Sequence, residues 1–224
     1  MLEELTALVA GEGLLPVVIA SRMTDEGNPP IVYSLRENIG ELSRYALDVV
    51  NIPKPDLGYT IKDMKNRGVK NIIMAGMVSK TRAFKPRLLD LTSQRFLASL
   101  IFRDDHSLLG AIVSFLEKEG FKVLSYRSII SDLLAPKGHI AGRAPTKEEK
   151  DDAEYGFSIC KVLVPLSFGQ TVIVKKRSVV AVEAMEGTDA ALLRAGSLCT
   201  GGVVAKMMRL DQDERYDIPT VGPE

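Results

Sequence analysis

A chain of 224 residues is long enough for one large domain or two small ones. Its 46% hydrophobic and 26% charged side chains exclude a disordered chain. Lysine plus arginine number 29, as do aspartate plus glutamate, so the net charge of zero excludes a basic footprint for nucleic acid. Tryptophan is absent and aromatics are few, so the core is expected to be built from Val, Ile, Leu and Ala. Cys160 and Cys199 stand far apart and lack metal-ligand spacing, so both read as free thiols. The opening Met1-Leu-Glu-Glu-Leu5 has neither the basic start nor the cleavage site of a signal peptide. No apolar run approaches the length of about 18 residues that spans a bilayer. A soluble cytoplasmic protein is expected, with peripheral contact with a membrane left open.

The first half alternates short strands with helices. Leu5–Ala10 is a short apolar run of strand type, and Gly11-Glu-Gly13 is a tight turn after it. Leu14–Met23 has helical character, Pro30–Leu35 reads as a strand, Asn38–Leu47 as a helix and Val49–Ile52 as another strand. Tyr59–Arg67 is predicted helical with Gly68 just past its end. Lys70–Met77 follows as a strand and Arg87–Phe102 as a longer helix. Leu108, Leu109, Ile112, Val113 and Leu116 recur at helical spacing after Asp104-Asp-His-Ser107, and Gly120 stops that helix. Phe121–Tyr126 reads as a strand and Ser128–Leu134 as a short helix. This alternation predicts a parallel sheet covered on both faces.

Residues 135–145 break the pattern with Pro and Gly and serve as a linker between domains 1–134 and 146–224. Thr146 and Glu149 have capping-box spacing, which predicts a helix from there to about Val164. Thr171–Val174 and Val179–Ala184 read as a hairpin joined through Lys175-Lys-Arg-Ser178. Thr188–Ala195 is predicted helical with Gly196 past its end, and Val203–Met208 is a last strand. The expected class is α/β: a Rossmann-like N-terminal domain with a parallel sheet plus a smaller mixed α/β C-terminal domain.

Gly11-Glu-Gly13 sits where a strand meets a helix, the setting of a phosphate-cradling turn. Pro16 replaces the third glycine of the dinucleotide fingerprint, and no ribose-binding acid follows at the right distance. A plain strand-to-helix turn, another phosphate ligand and a nicotinamide cofactor all stay open there. Lys80, beyond the strand ending near Ala75, reads as a phosphate contact or a solvated lysine. His106 and His139 show neither zinc-site nor triad spacing.

The richest polar joint is Glu183-Ala-Met-Glu-Gly-Thr-Asp189. Strand alternation puts Ala181 and Glu183 on one face. Gly187 allows a bend, and Thr188 or Asp189 starts a helix whose free N–H groups attract anions. Carboxylates there would repel a phosphate unless a hard cation such as Mg²⁺ bridged them. The bland reading is a helix cap with surface acids. Asp211-Gln-Asp-Glu-Arg-Tyr-Asp217, bounded by Pro219, reads either as a solvated charge run or as a fixed acidic loop.

At these segments the chain resembles the UDP-2,3-diacylglucosamine pyrophosphatases of the LpxI type. The matching pieces are Gly11-Glu-Gly-Leu-Leu-Pro16, Ala75-Gly-Met-Val-Ser-Lys80, Asp104-Asp105, Leu134-Ala-Pro-Lys-Gly138 and Gly169-Gln170. Longest are Val180-Ala-Val-Glu-Ala-Met-Glu-Gly-Thr-Asp189 and Gln212-Asp-Glu-Arg-Tyr-Asp-Ile-Pro-Thr-Val-Gly-Pro223. The resemblance covers the whole chain in order. It implies two domains holding a lipid between them and a requirement for a divalent cation, usually Mg²⁺. It implies cleavage of UDP-2,3-diacylglucosamine to UMP and 2,3-diacylglucosamine 1-phosphate in lipid A synthesis of Gram-negative bacteria. The acid associated with catalysis maps onto Asp217, as metal ligand or general base.

Around Asp217, the reading of the residues places Asp189 as a second catalytic acid. Glu186 and Asp189 are further candidates for metal binding. Gly187 and Thr188 would hold phosphate, while Gln170 and Arg215 would orient the substrate. Gly11, Gly13 and Lys80 would line the first domain's edge of the cleft. Contact with inner-membrane lipid fits such a substrate, and a homodimer is left open. Two departures accompany the resemblance. Pro165-Leu-Ser-Phe168 precedes Gly169 where the family usually carries an acidic residue, and family chains continue past the final Gly-Pro, so a shortened second domain is expected. A non-catalytic nucleotide-sugar or lipid-binding protein is the alternative function.

Overall fold

The structure is a computed structural model, and it describes residues 4–36, 38–52, 56–77, 92–93, 108–166, 169–184, 186–208 and 215. Most of the helix expected over Arg87–Phe102 falls outside these residues, as do the expected helix start Asp104–Ser107, Lys80 and Asp217, while the helix expected after that start is present from Leu108. The chain divides into two compact units, Met1–Leu134 with Glu214–Asp217, and Ala135–Asp213 with Ile218–Glu224.

The first unit carries β1 (Thr6–Ala10), α1 (Leu15–Asp25), β2 (Ile31–Ser34), β3 (Asp48–Asn51), α2 (Leu57–Asn66), β4 (Asn71–Ala75), α3 (Leu108–Lys118) and β5 (Lys122–Val123). The five strands form one parallel sheet in the order β3-β2-β1-β4-β5. Such strands lie under helices on both faces, so they read as continuous apolar runs. Ala7, Ile31 and Ile72 of neighbouring strands pack with Ile61 and Met64 of α2 and with Val113 and Leu116 of α3. α1 buries Ile19, Ala20 and Met23.

The helix ends follow local chemistry. The Asp56 carboxylate accepts the Tyr59 N–H at 2.8 Å and starts α2. The expected helix at Asn38–Leu47 is a 3-10 turn over Gly40–Tyr45, and the expected strand at Phe121–Tyr126 pairs only at Lys122–Val123.

The second unit holds α4 (Lys147–Leu163), β6 (Thr171–Lys175), β7 (Ser178–Val182), α5 (Thr188–Leu198) and β8 (Val203–Lys206). Its three-stranded sheet runs β7-β6-β8, antiparallel throughout. One face packs Val172, Val174 and Ala205 against Cys160 of α4, and the other packs Ile173 and Ala181 against Ala191 and Ala195 of α5. Burying each valine stabilises the sandwich by about 1.5–3 kcal/mol. The capping box is present: Glu149 donates its N–H to Thr146 Oγ1 at 3.2 Å and accepts the Thr146 N–H at 2.7 Å.

The hairpin turn holds Lys176 and Arg177 at φ 49° and 56°, left-handed values that side chains disfavour. The buried Asp152 carboxylate of α4 explains their tolerance, because it accepts both turn N–H groups at 2.8 and 2.6 Å. α5 runs on to Leu198, past the expected stop at Gly196. Ala191 and Ala195 anchor its inner face on the sheet, and that packing outweighs the weak helix propensity of one glycine.

Candidate functional site

In the first unit, the order of the strands reverses between β1 and β4. Open parallel sheets bind ligands at such a point, beyond the strand ends. Here the two exits are zipped together. Gly11 donates its N–H to Ala75 O at 2.8 Å, while Glu12 and Met77 exchange bonds at 2.8 and 3.0 Å. The Gly11 N–H is therefore used within the fold. Pro16, near the start of α1, has no N–H to offer. Gly13, at φ 96° with no atom within 4 Å of an added Cβ, is the open part of the turn. Arg36 stands beside it, its guanidinium 3.7 Å from Glu12. Arg36 Nε is buried without a hydrogen-bond partner.

In the second unit, the start of α5 meets one end of the sheet. Thr171 of β6 pairs with Lys206 of β8, and its carbonyl accepts the Glu183 N–H at 2.9 Å. Three strands thus bring Glu183, Thr171 and Lys206 into one row on the α5 side. The Thr188 hydroxyl joins the row. It donates to Glu183 Oε1 at 3.0 Å and accepts from Lys206 Nζ at 3.0 Å. Gly187 precedes Thr188 at φ 85° and supplies no side-chain cap.

Glu183 is 9% exposed, and its Oε2 has no hydrogen-bond partner. Thr171 is fully buried with Oγ1 unpaired, and Gln170 Oε1 is also buried and unpaired. An added Cβ on Gly169 would stand 2.0 Å from Glu183 O, so only glycine lets the chain pass there.

The structure thus brings Thr188 and Gly187 together with Glu183. It engages Glu186 elsewhere: Oε1 accepts from Arg194 at 2.7 Å and Oε2 from the Ala184 N–H at 3.2 Å. Backbone hydrogen bonding and the Arg194 guanidinium hold the Glu186 carboxyl below its usual range. Asp189 is exposed in the first turn of α5. By contact clustering Arg215 groups with the first unit, where it pairs with Glu117 at 2.6 Å.

Lys206 and Thr171 are residues that sequence reasoning missed. A lysine closing a valine-rich strand was visible, but its partner across the sheet depends on register. Among the described residues, no three His, Cys, Asp or Glu side chains gather as a metal site. Mg²⁺ is often held by one or two carboxylates plus phosphate oxygens, and the unpaired Glu183 Oε2 fits that mode better than the engaged Glu186. No helix among the described residues is long and apolar enough to cross a membrane.

Comparison with known proteins gives the family. The model described as the LpxI N-terminal domain matches residues 5–133, and that of the LpxI C-terminal domain matches residues 136–224. The UDP-2,3-diacylglucosamine pyrophosphatase LpxI of Caulobacter vibrioides is 31% identical over 96% of this chain and 80% of its own length. With both domain models matched in order along its length, the chain belongs to the LpxI family.

Proposed function

We propose that this protein hydrolyses UDP-2,3-diacylglucosamine to UMP and 2,3-diacylglucosamine 1-phosphate, a step of lipid A synthesis in Gram-negative bacteria. The observation that carries the reading is the 31% identity to a pyrophosphatase of that name over 96% of the chain. In the reaction, a water oxygen bonds to one phosphorus and the bridging P–O bond breaks. Asp217 takes the water's proton or holds the metal. The backbone N–H groups at the start of α5, that of Thr188 among them, hold a phosphate oxygen, and Gln170 orients the substrate. Asp189 stands as a further acid near the helix start. A bound Mg²⁺ supplies charge screening for the diphosphate. Glu183 and Asp189 would offer it carboxylate ligands.

The test is UMP release from UDP-2,3-diacylglucosamine by the purified chain. Release that stops with EDTA and returns with Mg²⁺ supports the reading. Tight binding of the substrate without release would defeat it.

A further inference from the structure

The polar row at the start of α5 presents two needs of opposite sign. The first turn of a helix carries N–H groups with no partner inside the helix. In α5 they also lack a side-chain cap, because Gly187 precedes them. Lys206 adds an ammonium beside them, bonded to Thr188 Oγ1 at 3.0 Å. N–H groups and ammonium together call for an anion.

Behind them lies the reverse. Glu183, 9% exposed, gives one oxygen to Thr188 and leaves Oε2 buried without a partner. Thr171 leaves a buried hydroxyl unpaired in the same row. Buried polar atoms without partners are rare, and a carboxylate oxygen asks for a donor or a hard cation. Lys206 and Glu183 balance in charge. A bare phosphate or a bare dication would each leave the row charged. A phosphate group that carries its divalent cation meets both needs and keeps the balance.

We propose that Lys206 is a phosphate-binding residue of this chain, held in place by Thr188, and that Glu183 is the carboxylate facing the divalent cation of the bound diphosphate. The assignment deepens the proposed function and rests on it for the ligand, a Mg²⁺-bound diphosphate. It separates Glu183 from Glu186, whose two oxygens are held by Arg194 and by the Ala184 N–H. The Lys206 side chain is part-exposed, so an incoming oxyanion reaches it without unfolding the sheet.

The test uses the full chain with inorganic pyrophosphate as probe, titrated calorimetrically with and without Mg²⁺. Wild type is expected to bind pyrophosphate more tightly with Mg²⁺ than without. Lys206→Met is expected to weaken binding at least about tenfold, the loss of a charge-assisted hydrogen bond, while Lys206→Arg recovers part of it. Glu183→Gln is expected to abolish the gain from Mg²⁺. Binding by Lys206→Met as tight as wild type, or no pyrophosphate binding by wild type, would overturn the assignment.

Should the variants fail to fold, wild type alone decides. Acetylation of Lys206 by an amine-reactive reagent, read by mass spectrometry against the exposed Lys161, should slow severalfold in Mg²⁺-pyrophosphate. An unchanged rate overturns the assignment. UMP release measured in parallel separates the two readings. Binding through Lys206 without UMP release defeats the activity and leaves this site standing. UMP release with Lys206→Met fully active and binding unchanged defeats this site alone.

Discussion

Gly11 and Gly76 meet back to back where β1 and β4 leave the sheet. A Cβ on Gly11 would stand 2.6 Å from Met77 O, and one on Gly76 would stand 2.7 Å from Glu12 O. Neither neighbour is a side chain that can swing aside. Gly11→Ala is therefore expected to destabilise the first unit by about 1–3 kcal/mol through overpacking. Gly76→Ala should cost more, because Gly76 also sits at φ 88°. Urea midpoints at unchanged slope would check both. A midpoint equal to wild type for Gly11→Ala would contradict the close approach.

Asp152 holds the turn between β6 and β7 through the N–H groups of Lys176 and Arg177. Asp152→Ala leaves two donors unpaired in a turn already held at left-handed φ. A loss of about 3 kcal/mol is expected, the scale of hydrogen bonds to a charged group. Asp152→Asn keeps one acceptor oxygen and should fall between. Urea unfolding followed by circular dichroism would show the order.

Glu149 is the acid-sensitive point of α4. Arg143 in a bidentate pair, together with the Thr146 N–H, brings its carboxyl down to about 2. A pKa lower in the folded than in the unfolded chain favours folding above the unfolded value, near 4.3. The contribution is present in full above that pH and is lost as pH falls through the folded value near 2. The stability advantage of wild type over Glu149→Gln should thus be constant from pH 7 to about 5 and vanish toward pH 2. Paired unfolding curves at several pH values would check it, and an advantage that persists at pH 2 would contradict it.

Asp217→Asn tests the proposed chemistry. Loss of a general base or of a metal ligand is expected to lower kcat for UMP release about 10²–10⁴-fold. Glu186→Gln, at a carboxylate already held by Arg194, is expected to lower it far less. Turnover of Asp217→Asn near wild type would remove Asp217 from the mechanism.

The strands of the first unit were legible because a parallel sheet buries both faces, leaving continuous runs such as Ala7-Leu-Val-Ala10 and Ile72-Ile-Met-Ala75. The capping box at Thr146 was legible because its partners lie three residues apart. Gly196 misled because a local breaker was read without the packing of Ala195 that carries α5 past it. The pairing of Arg215 with Glu117 was not legible, because the two stand 98 positions apart in the chain.

The sequence by itself determined the α/β class, the family and the glycine-marked joint before Thr188, because these depend on periodicity and on motifs contiguous in the chain. Only the tertiary structure decided which acid at that joint has both oxygens engaged and which keeps one oxygen unpaired. Glu186 finds Arg194, eight positions further along the chain, while Glu183 meets Thr188 and, through it, Lys206 of β8. The Lys206–Thr171 neighbourhood is set by the register of antiparallel strands 35 positions apart in the chain. Register follows from which faces are buried, and no local run of residues carries that information.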